Sequence, residues 1–167
     1  KDGAAQVRFA SGPTTNIARV GLGVAIRSGA HKPDIGTPDA LKQTLLKAQS
    51  VATIPASATG TQVLRVFATL GISEAMKAKT KAQPTPAQVV QVVANGQVEL
   101  GVFLLNVLTA PGLDVVGPFP AALQQGVVFT AAIAANTKEA AAAKAFITHL
   151  TTPAAAAVIK VKGMTPG

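Results

Sequence analysis

Two continuous apolar runs of strand length constrain this chain most, Val20–Ile26 (VGLGVAI) and Val127–Ala135 (VVFTAAIAA). A strand without a polar face has to be covered on both sides. The stretches between and after these runs carry helix starts. Thr37-Pro38, Thr85-Pro86 and Thr152-Pro153 each place a hydroxyl N-cap before a proline in the first turn. Leu41, Leu45 and Ala48 then mark one helical face, and Val63, Leu64, Phe67 and Leu70 mark another. Gln88 stands three residues after Thr85, at the capping-box position. Ser73 is expected to cap a short helix to Lys79, and Thr137 a long Ala-rich helix to about Leu150. Short strands are expected at Ser50–Ile54, Glu99–Phe103 and Leu113–Val116. Strands alternating with helices predict an α/β fold with a mostly parallel sheet.

Composition sharpens this reading. With 49% hydrophobic residues the chain is too apolar for disorder, and 167 residues suit one domain or one and a half. There is no cysteine, which excludes disulfides, thiolate metal sites and a thiol nucleophile. No run approaches the roughly 18 to 20 apolar residues that span a bilayer. The net charge of +8 raises the question of nucleic acid. The basic residues argue against it, because they are scattered, with one cluster at Lys77, Lys79 and Lys81. Phe67, Phe103, Phe129 and Phe146 sit in apolar runs rather than between basic residues as stacking platforms. A diffuse positive field suits a soluble surface or attraction of a small anion.

No catalytic or metal constellation emerges. Asp39 and Glu139 fall in expected first helical turns, where the helix dipole favours an acid. His149 falls near a helix end, where a positive group is favoured, and His31 lies in a link. No HxxxH spacing, P-loop or nucleophile elbow occurs. The small-residue loop Ser57-Ala58-Thr59-Gly60-Thr61 does carry chemistry, because it runs into a helix start. Free backbone N–H groups and the helix dipole make such a start an anion site, and hydroxyls add donors. Thr85 marks a second such start. Most helix starts with Ser or Thr are plain caps.

The segments IARVGLGVAIRSGAHKPDIGTPDALKQTLL, SVATIPASATG, LGI, NGQVELGV, PGLDVVGPFPAALQ and TTPAAAAVIKVKGMTPG follow one another in this order. In order and spacing the chain resembles the periplasmic solute-binding proteins of ABC importers, in their molybdate-binding-protein-like branch. The resemblance covers nearly the whole sequence. It implies a type II periplasmic-binding-protein fold of two lobes, with one lobe complete and the other incomplete in this sequence. Residues 1–27 and 127–167 would form the partial first lobe with its crossing strands, and 28–126 the second lobe. The family's opening segment, a possible separate fragment, would lie outside this sequence.

The resemblance also implies an extracytoplasmic receptor, with its signal peptide removed, that closes two lobes around a small anion. It would deliver that anion to the importer's membrane subunits, with no cofactor, no metal and no reaction. Molybdate-binding members use a backbone N–H at the loop matching Ala56–Thr59, another at the helix start matching Pro86, and a Tyr hydroxyl matching Leu104. Proline has no N–H and leucine no hydroxyl. The expected ligand is a molybdate-like oxyanion or a small organic carboxylate; these changes count against molybdate itself and suit a carbon skeleton, and Asn106 could reach such a ligand or serve as a helix cap. Expected ligand contacts are Ser57, Ala58, Thr59, Gly60, Thr61, Thr85, Leu104 and Asn106. Gly60→Pro and Thr59→Asp are each expected to abolish binding and keep the fold. An enzyme on this scaffold, or a basic nucleic-acid-binding module, are the alternatives.

Overall fold

The computed structural model describes Phe9, Gly12 and residues 14–167. The chain divides into two compact units, with the divisions at Val20/Gly21 and Gly126/Val127. The first division lies earlier than the 27/28 boundary expected above. Val20–Ile26 is not one strand: it breaks at Gly21 into β1 (Thr15–Val20) and the start of β2 (Leu22–Arg27), which belong to different sheets.

In the unit of Gly21–Gly126, five strands run in the order β4-β3-β5-β2-β6. They are β2, β3 (Val51–Thr53), β4 (Thr80–Ala82), β5 (Leu100–Leu104) and β6 (Leu113–Pro118). β3 pairs in parallel with β4 and β5, whereas β2 pairs antiparallel with β5 and β6. The sheet is therefore mixed, not mostly parallel. A parallel pair needs a crossover and an antiparallel pair does not. Here β4 and β5 are reached through helices, while β2 enters the sheet directly from β1.

The helices of this unit are α1 (Pro38–Lys47), α2 (Ala58–Thr69), α3 (Ser73–Lys79), α4 (Pro86–Ala94) and the short α5 (Leu105–Leu108). Thr37 caps α1 by accepting from the Ala40 N–H, and Leu41 and Leu45 are fully buried. α2 begins two residues before the expected Gly60 and buries Val63, Val66 and Phe67, while Leu64 stays 41% exposed. Each fully buried apolar side chain contributes about 1.5–3 kcal/mol. Ser73 is the first residue of α3 and not its cap, a position held by Ile72 with no side-chain bond.

Asp114 in β6 fastens the turn after β2. It accepts from the Gly29 N–H at 3.0 Å and the Ser28 hydroxyl at 3.2 Å. These bonds, the Gly29 one foremost, hold its carboxyl below the ordinary carboxylate value, with the charge of Lys32 adding to them. A carboxylate held low in the folded state stabilises above its unfolded value of 3.8 and loses that stabilisation as pH falls through the folded value. Asp114→Ala is therefore expected to lower the melting temperature at pH 7, and to lower it by less at pH 3, below the unfolded value of 3.8. Paired thermal melts at the two pH values check this.

In the other unit β1 is the centre of a three-stranded antiparallel sheet, between β7 (Val127–Ala131) and β8 (Thr165–Pro166). β7 stops short of the expected Ala135, and Val128 and Phe129 remain 39% and 43% exposed. Its helices are α6 (Ala140–Leu150) and α7 (Pro153–Val161). Thr152 caps α7 as expected. Thr137 does not cap α6; its hydroxyl accepts from the Glu139 N–H, and α6 starts after Glu139. Phe146, Val158 and Val161 stay exposed in this unit. Among the described residues no single helix is long and apolar enough to cross a membrane.

Candidate ligand-binding edge

The parallel strands of the Gly21–Gly126 unit set the geometry. β3, β4 and β5 are neighbours that run the same way, so the loops leaving their carboxyl ends emerge at one edge of the sheet. β3 leads into α2, β4 into α4 and β5 into α5. From β3 the chain goes on to β4 on one side; from β5 it goes on to β6 on the other. The β3/β5 pair is thus a topological switch point, where the two exits diverge, and in open α/β sheets a ligand usually binds in the crevice at such a point. Ser57–Thr61, Thr85, Leu104 and Asn106 all belong to this edge.

Local bonding decides which of these residues keep donors. Ser57 caps α2: its hydroxyl donates to the Ile54 carbonyl at 2.8 Å and accepts from the Gly60 N–H at 2.9 Å. The Thr61 N–H and hydroxyl both go to the Ser57 carbonyl. Ser57, Gly60 and Thr61 therefore shape the loop, and the donors named here are engaged within it. Among the described residues nothing accepts from the N–H groups of Ala58 and Thr59, or bonds the Thr59 hydroxyl. Thr59 is only 7% exposed, so its hydroxyl is held in place by packing.

Thr85 is likewise consumed locally. Its hydroxyl accepts from the Gln88 N–H at 3.3 Å and donates to Gln88 Oε1 at 3.1 Å. Pro86 has no N–H, so Ala87 holds the N–H nearest the start of α4 that this cap does not engage. Leu104 closes β5, is 7% exposed and occupies the N-cap position of α5, so it presents a nearly buried apolar surface. Asn106 does not cap α5, which has no side-chain cap bond. Its Oδ1 is buried without a partner among the described residues.

Sequence reasoning missed Thr53 and Gln62. The hydroxyl of Thr53, the last residue of β3, is fully buried and unpaired, and so is Oε1 of Gln62 in the second turn of α2. With Asn106 they are the unpaired buried side-chain polar atoms among the described residues, and all three stand on elements meeting at the β3/β5 crevice. Among the described residues the other buried side-chain polar atoms find partners, so these three are the ones that need a partner from elsewhere. No local sequence pattern announces this, because Thr in a strand and Gln in a helix are ordinary.

The expectation that Gly60→Pro keeps the fold does not agree with the packing around Gly60. A Cβ there would overlap the Ile54 carbonyl oxygen and come within 2.8 Å of Pro55 Cα. Glycine at this position lets α2 start directly against the end of β3.

Beyond this unit, the sequence profile of the family described as bacterial extracellular solute-binding protein matches residues 2–165. The chain belongs to that family, whose description places its members outside the cytoplasm. It is 39% identical over 165 residues to a Pseudomonas protein named aconitate isomerase, covering 94% of this chain and 62% of that protein. It is 32% identical over 126 residues to the molybdate-binding protein of Azotobacter vinelandii, covering 74% of this chain and 50% of the relative. The chain thus spans half to two thirds of the length of these relatives.

Among solved structures it resembles the substrate-binding domain of a Clostridium difficile molybdenum ABC transporter (TM-score 0.75, 13% identity, covering 98% of this chain and 71% of that one). It also resembles the Azotobacter vinelandii periplasmic molybdate-binding protein in fold (TM-score 0.71, 23% identity, covering 98% of this chain and 72% of that one). The fold is that of the molybdate-binding-type periplasmic proteins, a type II periplasmic-binding-protein fold.

Proposed function

We propose that the protein carrying this chain captures a small organic carboxylate at the β3/β5 crevice and hands it to an ABC importer in the membrane. The observation that carries this is the make-up of the crevice. The free Ala58 and Thr59 N–H groups and the Thr59 hydroxyl stand at the start of a twelve-residue helix, and the nearly buried Leu104 ends β5, the strand paired with β3. N–H groups at a helix start suit an anionic oxygen, and Leu104 suits carbon. A tetrahedral dianion needs nearly every oxygen bonded once it is buried. Proline at position 86 and leucine at position 104 do not supply that. The relative named for aconitate, an unsaturated tricarboxylate, supports the same ligand class.

A panel of anions tests the reading. trans-Aconitate, citrate and succinate are expected to raise the melting temperature by several degrees at millimolar concentration, as ligand linkage requires. Molybdate and sulfate are expected to leave it within a degree. Stabilisation by molybdate alone would assign the site to an oxyanion.

The same relative supports a second reading, an isomerase acting on the bound carboxylate. Moving a double bond within a carboxylate moves a proton and requires an acid or base within reach of it. At this edge the described candidate groups are hydroxyls, amides and N–H groups, which hold and orient an anion. Interconversion of cis- and trans-aconitate, followed by chromatography with catalytic amounts of protein, separates the readings: a receptor leaves the ratio unchanged.

A further inference from the structure

One half-buried side chain, Gln124, ties together segments that no local rule would join. Its Oε1 accepts from the Leu22 N–H at 2.7 Å, and its Nε2 donates to the Leu22 carbonyl at 3.0 Å and the Phe119 carbonyl at 3.3 Å. A primary amide presents an acceptor and a donor side by side, as a peptide unit does. Gln124 thus bonds the first residue of β2 as a neighbouring strand would. Leu22 is fully buried, so both of its backbone groups need partners within the protein; its carbonyl also accepts from the Phe119 N–H at 3.0 Å, whereas its N–H is bonded by Gln124.

The clamp lies next to the ligand-binding edge. Leu22 is the cross-strand partner of Leu104, and the carbonyl of the preceding Gly21 accepts from the Leu105 N–H at 3.0 Å, at the start of α5. Gly21 itself is fitted to the clamp: a Cβ there would stand 3.0 Å from Gln124 Nε2 and 3.1 Å from its Cδ. The chain of bonds runs from Gln124 through Leu22 and Gly21 to Leu104, Leu105 and the start of the helix that bears Asn106.

We propose that Gln124 is a positioning residue for the ligand site: it fixes the start of β2 and, through it, the apolar wall at Leu104 and the amide of Asn106. This rests on the carboxylate reading above. Gln124 touches none of the free donors of α2, so its effect on binding is indirect.

The test uses Gln124→Leu, which keeps the length and removes all three bonds. Gln124→Glu keeps the acceptor for the Leu22 N–H but cannot donate to the two carbonyls. Leu45→Val, in the core under α1, serves as a destabilised control away from the edge. Affinity for trans-aconitate is measured by calorimetry well below each variant's melting temperature, and amide hydrogen exchange is followed by NMR. The proposal expects Gln124→Leu and Gln124→Glu to weaken binding about tenfold or more, and to speed exchange at Leu22 and Leu105. Leu45→Val is expected to lose melting temperature and keep its affinity. Wild-type affinity in both Gln124 variants, or an equal loss in Leu45→Val, would overturn it. If the wild-type protein binds no carboxylate, the reading of the site falls instead. The exchange data then still judge the clamp, and unchanged protection at Leu22 and Leu105 would dismiss it.

Discussion

Thr59→Asp is expected to abolish carboxylate binding, with a loss of at least a hundredfold in affinity, in a protein that remains folded. The side chains are close in size, and an acid in the first turn of α2 is favoured by the helix dipole. The same acid puts a negative charge among the N–H groups that would receive the ligand, which converts attraction into repulsion. Two milder variants divide the effect. Thr59→Val removes only the hydroxyl. Ala58→Pro removes one N–H at the first helical position, where proline is tolerated. Ser57 already has the extended backbone that a following proline requires, at φ −89° and ψ 161°. A hydrogen bond to a charged group contributes about 1.5–3 kcal/mol, so Ala58→Pro should weaken binding by roughly ten- to a hundredfold. Calorimetry gives the affinities, and circular dichroism confirms the fold.

The second large effect concerns folding. Gly60→Ala is expected to destabilise the Gly21–Gly126 unit by about 3 kcal/mol or more, the upper range for overpacking, and Gly60→Pro by more still. The added Cβ meets the Ile54 carbonyl and Pro55 Cα, which are backbone and cannot turn aside as a side chain could. Proline would also remove the N–H that Ser57 caps. Urea titration of the alanine variant measures the loss. A change below 1 kcal/mol would mean that α2 can shift away from β3 without cost. Ser57→Ala, which deletes the cap alone, should cost about 1 kcal/mol and serves as the scale for comparison.

How far the sequence could be read follows from which forces are local. Caps at Thr37, Thr85 and Thr152 were legible because a hydroxyl bonding three residues ahead is a matter of neighbouring residues. Ser73 and Thr137 also carry hydroxyls near helix starts, yet the cap positions of those helices fall elsewhere, at Ile72 and Glu139. β4 was not legible, since Thr80–Ala82 is short, half polar and recruited only by its neighbour β3. Nor was the break at Gly21, where an unbroken apolar run conceals a change of sheet.

The site divides in the same way. The loop at Ser57–Thr61 stood out by composition, whereas the division of labour within it depends on which N–H each oxygen reaches. Gln124 and Thr53 were invisible, because their roles come from partners remote in sequence or from the lack of any partner. The family resemblance implies a site at this edge, and the bonding there separates free donors from engaged ones.

The account stands most directly on the two free amides at the start of α2. In an NMR titration of the isotope-labelled protein with trans-aconitate, the Ala58 and Thr59 amide resonances are expected to shift most and to saturate together. Those of Gly60 and Thr61, already bonded to Ser57, should move less. Shifts centred on other residues, with Ala58 and Thr59 unmoved at saturating ligand, would contradict it.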